Sequence, residues 1–179
     1  LFVEPGDGDF FDGHRTYDEH VEFLQQLAAQ HPEVTDLFSV GTSVLGREMW
    51  CLRIGSNMGE APGVVYHGAQ HGNEGVGAAV VAYIANHLLA NYQSDEHIAS
   101  LVSGVDWFLV PIMNPDGYVD FSRENENGFD LNRNWGGPGA FPNPFSQPET
   151  AAMRDLFLNH VNIEGHIEPL RTLGLASLD

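Results

Sequence analysis

Val64-Val65-Tyr66-His67-Gly68-Ala69-Gln70-His71-Gly72-Asn73-Glu74-Gly75-Val76 carries the chain from one kind of apolar pattern into another. Val64 to Tyr66 is a short apolar run of the sort that makes a buried strand. From Gly75 to Asn91, the residues Val76, Ala79, Val80, Tyr83, Ile84 and Leu88 recur at spacings of three and four, which predicts a helix with a broad apolar face. His71 and Glu74 sit at the junction. Three residues apart at a strand-to-helix turn, they can aim an imidazole nitrogen and a carboxylate oxygen at one ion. Zinc accepts that mixture, and catalytic zinc sites usually have three protein ligands and an open water position. H-x-x-E alone is a weak signal. A solvated helix start, with Glu74 near the positive end of the helix dipole, accounts for it as well.

Working outward, Thr16-Tyr17-Asp18-Glu19 has the Thr-x-x-Glu form of a capping box. Val21, Leu24, Leu27 and Ala28 follow at helical spacing, and His31-Pro32 predicts the stop. Val34 to Val40 and Glu48 to Ile54 read as two strands joined by a Gly-rich turn. Val105 to Ile112 is nearly continuous apolar sequence, suited to a central strand covered on both faces. The stretch from Asn114 to Gln147 is loop-like, and a long irregular segment in a compact domain is usually functional or disordered. Ser146-x-x-Glu149 has the capping-box form again, opening a helix through about His160. Strands alternate with helices and no repeat is present, so the fold class is α/β.

Three further motifs follow the first in order, and a fourth precedes it. Asn114-Pro115-Asp116-Gly117-Tyr118 comes directly after the apolar strand, then Asp130-Leu131-Asn132-Arg133-Asn134-Trp135, then Ser146-Gln147-Pro148-Glu149-Thr150; Gly41-Thr42-Ser43-Val44-Leu45-Gly46-Arg47 precedes them all. Together they resemble the zinc metallocarboxypeptidases of the carboxypeptidase A/B type, over roughly residues 16 to 165. The resemblance implies a mixed central sheet flanked by helices, with the site at strand ends. It implies a zinc ion held by His71 and Glu74. It places the terminal carboxylate of a peptide or protein substrate on Asn132 and Arg133, a role suited to arginine's planar, bidentate fork. Arg123 falls near the family's oxyanion-steadying arginine. Asn73 stands where some members carry Arg. His67 reads as structural, Asn114 to Gly117 as a supporting tight turn, and Trp135, Phe141 and Phe145 as packing. His14, His20, His31, His87 and His97 receive no role.

The 179 residues suit one domain with a substantial core. No apolar stretch is long enough to cross a bilayer. Leu1 is not followed by a basic and then an apolar segment, which fits either no signal peptide or a start already processed or trimmed. Seven arginines and no lysine face 25 acidic residues, for a net charge of −18. Phosphate backbones are bound by clustered Lys and Arg, so nucleic acid is not an expected partner. This acidity has two readings, a salty habitat or steering of basic C-terminal residues toward the site; acids scattered along the whole chain favour the habitat. Cys51 is the sole cysteine, so no intrachain disulfide forms. Its apolar neighbours Trp50 and Leu52 predict a small buried hydrophobe rather than a nucleophile. Secretion, or a periplasmic location, suits a peptide-degrading role.

The family pattern breaks after the last motif. The second histidine ligand belongs in an I-D-x-H-like segment at the end of the next strand, but this chain reads Gly165-His166-Ile167-Glu168-Pro169-Leu170-Arg171-Thr172. One alignment puts Leu170 at the ligand position and another puts Arg171 there. Neither binds zinc usefully. His166 is near in sequence, but side chains alternate faces along a strand. The family's general-base Glu, its substrate-contacting Tyr and its specificity pocket belong to a portion beyond Asp179. The expectation is therefore a single, incomplete catalytic domain over residues 1–179. Three explanations stand: an altered or truncated reading frame, a non-catalytic relative that binds peptide C-termini, or an enzyme completed by unusual ligands or a partner chain.

Overall fold

A computed structural model of the chain describes residues 10–136, 139, 142–160 and 163–167, the last five as backbone. The elements run α1 (Tyr17–Gln30), β1 (Thr35–Thr42), β2 (Glu48–Ile54), β3 (Gly63–His67), α2 (Gly75–Asn91), α3 (Glu96–Gly104), β4 (Asp106–Val110), α4 (Pro115–Val119), a 3-10 turn (Leu131–Arg133), α5 (Pro148–Asn159) and β5 (Ile163–Ile167). The five strands form one sheet in the order β1-β2-β4-β3-β5. β1, β2 and β4 pair antiparallel, whereas β3 runs parallel to both β4 and β5. The mixed sheet expected from the resemblance is present.

The two faces of the sheet explain the apolar strands. Along β2, Met49 and Cys51 point to one side while Leu52 and Ile54 point to the other, the period of two that a pleat imposes. One face packs on Phe23, Leu24 and Leu27 of α1, Val81, Ala85 and Leu88 of α2, and Ile98 and Val102 of α3. The opposite face packs on Ala152, Met153 and Leu156 of α5. Helices on both faces leave β2 and β4 no solvent side, so neither strand alternates with polar residues. Cys51 is fully buried within the second cluster, as its neighbours predicted.

Capping shows where local rules hold and where they yield. Thr16 and Glu19 form the capping box at α1, each accepting from the other's backbone. At α5 no such box forms. Pro148 occupies the first turn, Gln147 is the N-cap without a side-chain cap bond, and the Ser146 hydroxyl accepts from Asn134 Nδ2 at 2.9 Å. Glu149 is instead drawn inward, accepting from Asn125 Nδ2 at 2.9 Å and from the Val44 amide at 3.3 Å. Two helices were not foreseen. α3 is opened by Asp95, whose carboxylate accepts from the amides of His97 and Ile98. Asn114 to Gly117, expected as a tight turn, opens the one-turn helix α4, with Pro115 in its first turn and the Asn114 side chain accepting from the Gly117 amide.

An ion pair ties β2 to the start of β4. Asp106 is fully buried and accepts from Arg53 Nε at 2.7 Å, from Arg53 Nη2 and from the Gly59 amide at 2.9 Å. The Arg53 guanidinium also lies 4.9 Å from the centre of the Phe108 ring.

Candidate active site

The loop after β3 is stitched to the loop after β4 by main-chain bonds. The Gly68 amide donates to Val110, Met113 donates to Gly68, and Asn114 donates to Ala69, at 2.9 to 3.1 Å. This carries the parallel pairing past the strand ends and brings His71-Gly72-Asn73-Glu74 against Asn114-Pro115-Asp116-Gly117. Gly72 lies so close to Gly117 that a β-carbon there would fall 1.9 Å from the Gly117 carbonyl carbon. The two motifs share an interface that only glycine fits.

His71 is buried at the carboxyl end of β3, and Glu74 is the N-cap residue of α2. The glutamate does not cap its helix; its Oε1 lies 3.1 Å from His71 Nδ1. His71 Nε2 lies 3.0 Å from Asp130 Oδ1. With Nε2–H donated to Asp130, the Nδ1 lone pair faces the Glu74 carboxylate. Two acceptors that close call for a proton or a cation between them. In a tetrahedral zinc shell, neighbouring N and O donors lie roughly 3.3 Å apart, close to the separation seen here. Metal-bound histidines almost always donate their second ring N–H to a carboxylate or carbonyl, the part Asp130 takes. The donor set therefore fits zinc at two positions.

Arg123 closes the cluster. Its guanidinium donates to Asp130 Oδ2 at 3.0 Å and lies 3.8 Å from Glu74 Oε1 and 3.4 Å from His71 Nδ1. Burial works to raise the Asp130 pKa, but the bonds from His71 and Arg123 outweigh it and hold the carboxyl below its ordinary value. Asp130 thus stays ionised and serves both partners. Asn132 and Arg133 follow on the 3-10 turn, where the Asn132 amide donates to Asp130 Oδ1 at 3.0 Å and Arg133 is exposed.

The segment between Arg123 and Asp130 is held from beneath. Asn125 closes it, its amide and side-chain oxygen engaging Phe129 at 3.0 Å, while its Nδ2 donates to Gln147 and Glu149 at the start of α5. Burial raises the Glu149 pKa, against the bonds from Asn125 and Val44. Asp116 joins this region to the first motif, accepting from Arg47 Nη1 at 2.5 Å and the Leu45 amide at 2.9 Å.

His71, Glu74 and Arg123 are thus brought together, with Asn132 and Arg133 on the adjoining turn. Sequence reasoning gave Asp130 and Asn125 no role. A carboxylate two residues before Asn132-Arg133 was the available signal for Asp130. Among the described residues no group of three His, Cys, Asp or Glu is arranged to hold a metal, because Asp130 addresses the far nitrogen of His71. The register of β5 sets His166 opposite Val65, two residues before the end of β3 at His67. Leu170 and Arg171 lie outside the described residues, as does Phe141. His67 is buried and its ring stacks on Trp135, which meets Phe145 edge-on, in keeping with packing roles.

Fold and donor set together define a three-layer α/β protein with a candidate metal centre at the carboxyl end of a parallel strand. A family model described as zinc carboxypeptidase, Peptidase_M14, matches residues 20–170, and the chain belongs to that family. It is 35% identical over 148 residues to carboxypeptidase M of Mus musculus, covering 74% of this chain and 33% of that protein. It is also 35% identical over 159 residues to carboxypeptidase D of Homo sapiens, covering 78% of this chain and 11% of the other. The crystal structure of carboxypeptidase A from Helicoverpa armigera superposes with a TM-score of 0.74 at 28% identity, over 85% of this chain and 44% of that one. The chain thus spans a third or less of these two curated relatives. No helix among the described residues is long and apolar enough to cross a membrane.

Proposed function

We propose that this chain serves zinc-dependent removal of C-terminal residues from peptides or proteins, supplying His71 and Glu74 as metal ligands. The observation that carries the reading is the Asp130–His71–Glu74 arrangement, in which a carboxylate fixes one ring nitrogen and turns the other toward a second carboxylate. When bound, zinc lowers the pKa of its water and polarises a carbonyl oxygen. The other work falls to the chain. Asp130 keeps the proton of His71 on Nε2. Arg123 holds positive charge beside Glu74, where it stabilises an oxyanion growing on the substrate carbonyl. Asn132 and Arg133 grip the terminal carboxylate, the guanidinium in bidentate fashion. A secreted or periplasmic setting suits this activity.

A second reading is a module that binds peptide C-termini without turnover, supported by the two-donor set among the described residues. Zinc titration of the chain and of His71→Ala separates the two. Roughly equimolar, tight zinc lost in the variant, with metal-dependent release of C-terminal residues, is expected for the enzyme. Peptide binding that needs a free carboxylate and Arg133, with no zinc above the variant's background and no release, would replace it with the module.

A further inference from the structure

Beside the candidate site runs a groove of about 690 Å³ between residues 11–15, the outer side of α2 and the turn from Tyr118 to Phe121. Its lining is mainly apolar: Phe11, Val76, Val80, Tyr83 and Phe121, with Tyr118 at its base. Several of these are unusually open for their kind, Val76 and Phe121 each at 67% exposure. Among the described residues no aspartate or glutamate lines the groove, in a chain that carries 25 of them. The ionisable groups facing it are His14, Arg15 and His20 from the N-terminal side, Arg15 being engaged with Glu19 and the Phe10 carbonyl. The volume falls within the roughly 300–1,000 Å³ usual for ligand clefts.

Two features join the groove to the site. Asn73, between His71 and Glu74, is part of its lining, and its amide donates to the Ser122 carbonyl at 3.0 Å. Ser122 separates Phe121, in the groove wall, from Arg123, in the site. Phe121 is held at φ 53°, a conformation unfavourable for a bulky residue, with the Ser122 amide bonded back to Gly117 at 2.8 Å. An aromatic kept exposed in a strained turn contributes little to folding, and such outliers point toward ligand contact.

We propose that this groove binds the apolar side chains of a peptide, upstream of the C-terminal residue held at Asn132 and Arg133. The inference rests on the carboxypeptidase reading and adds a substrate class to it: peptides with apolar residues ahead of their C-terminus. The continuous wall from Phe121 to Arg123 sets the direction. A lining without acids among the described residues favours neutral apolar side chains over basic ones, which the rest of this surface attracts.

The test uses the purified chain and fluorescent hexapeptides sharing one C-terminal residue, with Leu and Phe or Ser and Gly in the three positions before it. Anisotropy titrations are expected to give at least about tenfold tighter binding for the apolar set. Val76→Asp should abolish that preference while leaving the fold intact. Val76 is exposed in the first turn of α2, which holds no acid, and a carboxylate there suits the helix dipole. Phe121→Gly should reduce the preference while raising the melting temperature, since glycine relieves the positive φ. Equal affinity for both peptide sets, with binding still dependent on a free C-terminal carboxylate, overturns the groove and leaves the site reading intact. Equal binding of C-terminally amidated peptides overturns the site reading. Absence of binding by every peptide overturns both.

Discussion

Replacing Gly72 by alanine should destabilise the protein by about 2–4 kcal/mol, and the size follows from the contact with Gly117. The added carbon would lie 1.9 Å from the Gly117 carbonyl carbon, 2.2 Å from its oxygen and 2.3 Å from the Tyr118 nitrogen. Carbon atoms settle about 3.5–4.0 Å apart, so the two segments must part by roughly 1.6 Å or more. The neighbours are main-chain atoms and cannot rotate away. The Asn73-to-Ser122 bond spans the same gap at 3.0 Å and cannot survive that separation. Overpacking costs about 1–3 kcal/mol, and each lost hydrogen bond adds about 1 kcal/mol. Urea unfolding followed by tryptophan fluorescence and far-UV circular dichroism measures the change. Gly104→Ala is the control: a methyl group at this position of α3 would have nothing within 4 Å, and alanine is favoured in a helix by about 0.5–1 kcal/mol. A Gly72→Ala protein within about 1 kcal/mol of the parent, at unchanged m-value, would refute the reasoning.

Three other outcomes are expected. Asp130→Asn should weaken zinc binding about 10- to 100-fold, the usual cost of losing a partner behind a ligating histidine; isothermal titration calorimetry reads it, and unchanged affinity would remove Asp130 from the site. Burial, with smaller effects from His14, Glu19 and Arg15, lowers the His20 pKa to about 4. The folded state therefore favours neutral His20. That stability is complete above the unfolded value near 6.5 and is lost as pH falls toward about 4, a change of about 3 kcal/mol. His20→Phe should flatten this part of the stability–pH curve, and an unchanged slope would assign it elsewhere. Burial pushes the Cys51 thiol above its ordinary pKa. Ellman's reagent should leave the native protein unmodified and label one thiol after denaturation; rapid native labelling would contradict the buried position.

The sequence was most legible where a signal was local. The Thr16 capping box, the bounds of β2 and the span of α2 all follow from residues within a few positions of one another, and the structure keeps them. The same kind of local pattern misled at Ser146-x-x-Glu149. There Glu149 bonds to Val44, 105 residues earlier, and a buried polar network outweighs a surface cap. α3 was missed because its nine residues place only Ile98, Leu101 and Val102 on an apolar face, although Asp95 signals its start. At the site, motif order pointed to His71, Glu74, Arg123, Asn132 and Arg133, and the structure sets the first three within 4 Å of one another. The part played by Asp130 depends on a bond to His71 across 59 residues, which spacing along the chain does not encode.

The Arg53–Asp106 pair has a consequence for how the sheet assembles. In the native register Arg53 stands opposite Phe108, within reach of Asp106 at the start of the same strand. Shifting β2 by one residue against β4 turns every side chain to the opposite face. The guanidinium would then leave with the wrong set, and Asp106 would be sealed inside without a counter-ion. Stranding one half of a buried pair costs about 3–5 kcal/mol, a large fraction of the whole stability of a typical domain. Apolar strands covered on both sides tolerate slippage because either face is greasy enough. One charged pair at the seam acts as a checksum on their alignment, rejecting sheets that hydrophobicity alone would accept.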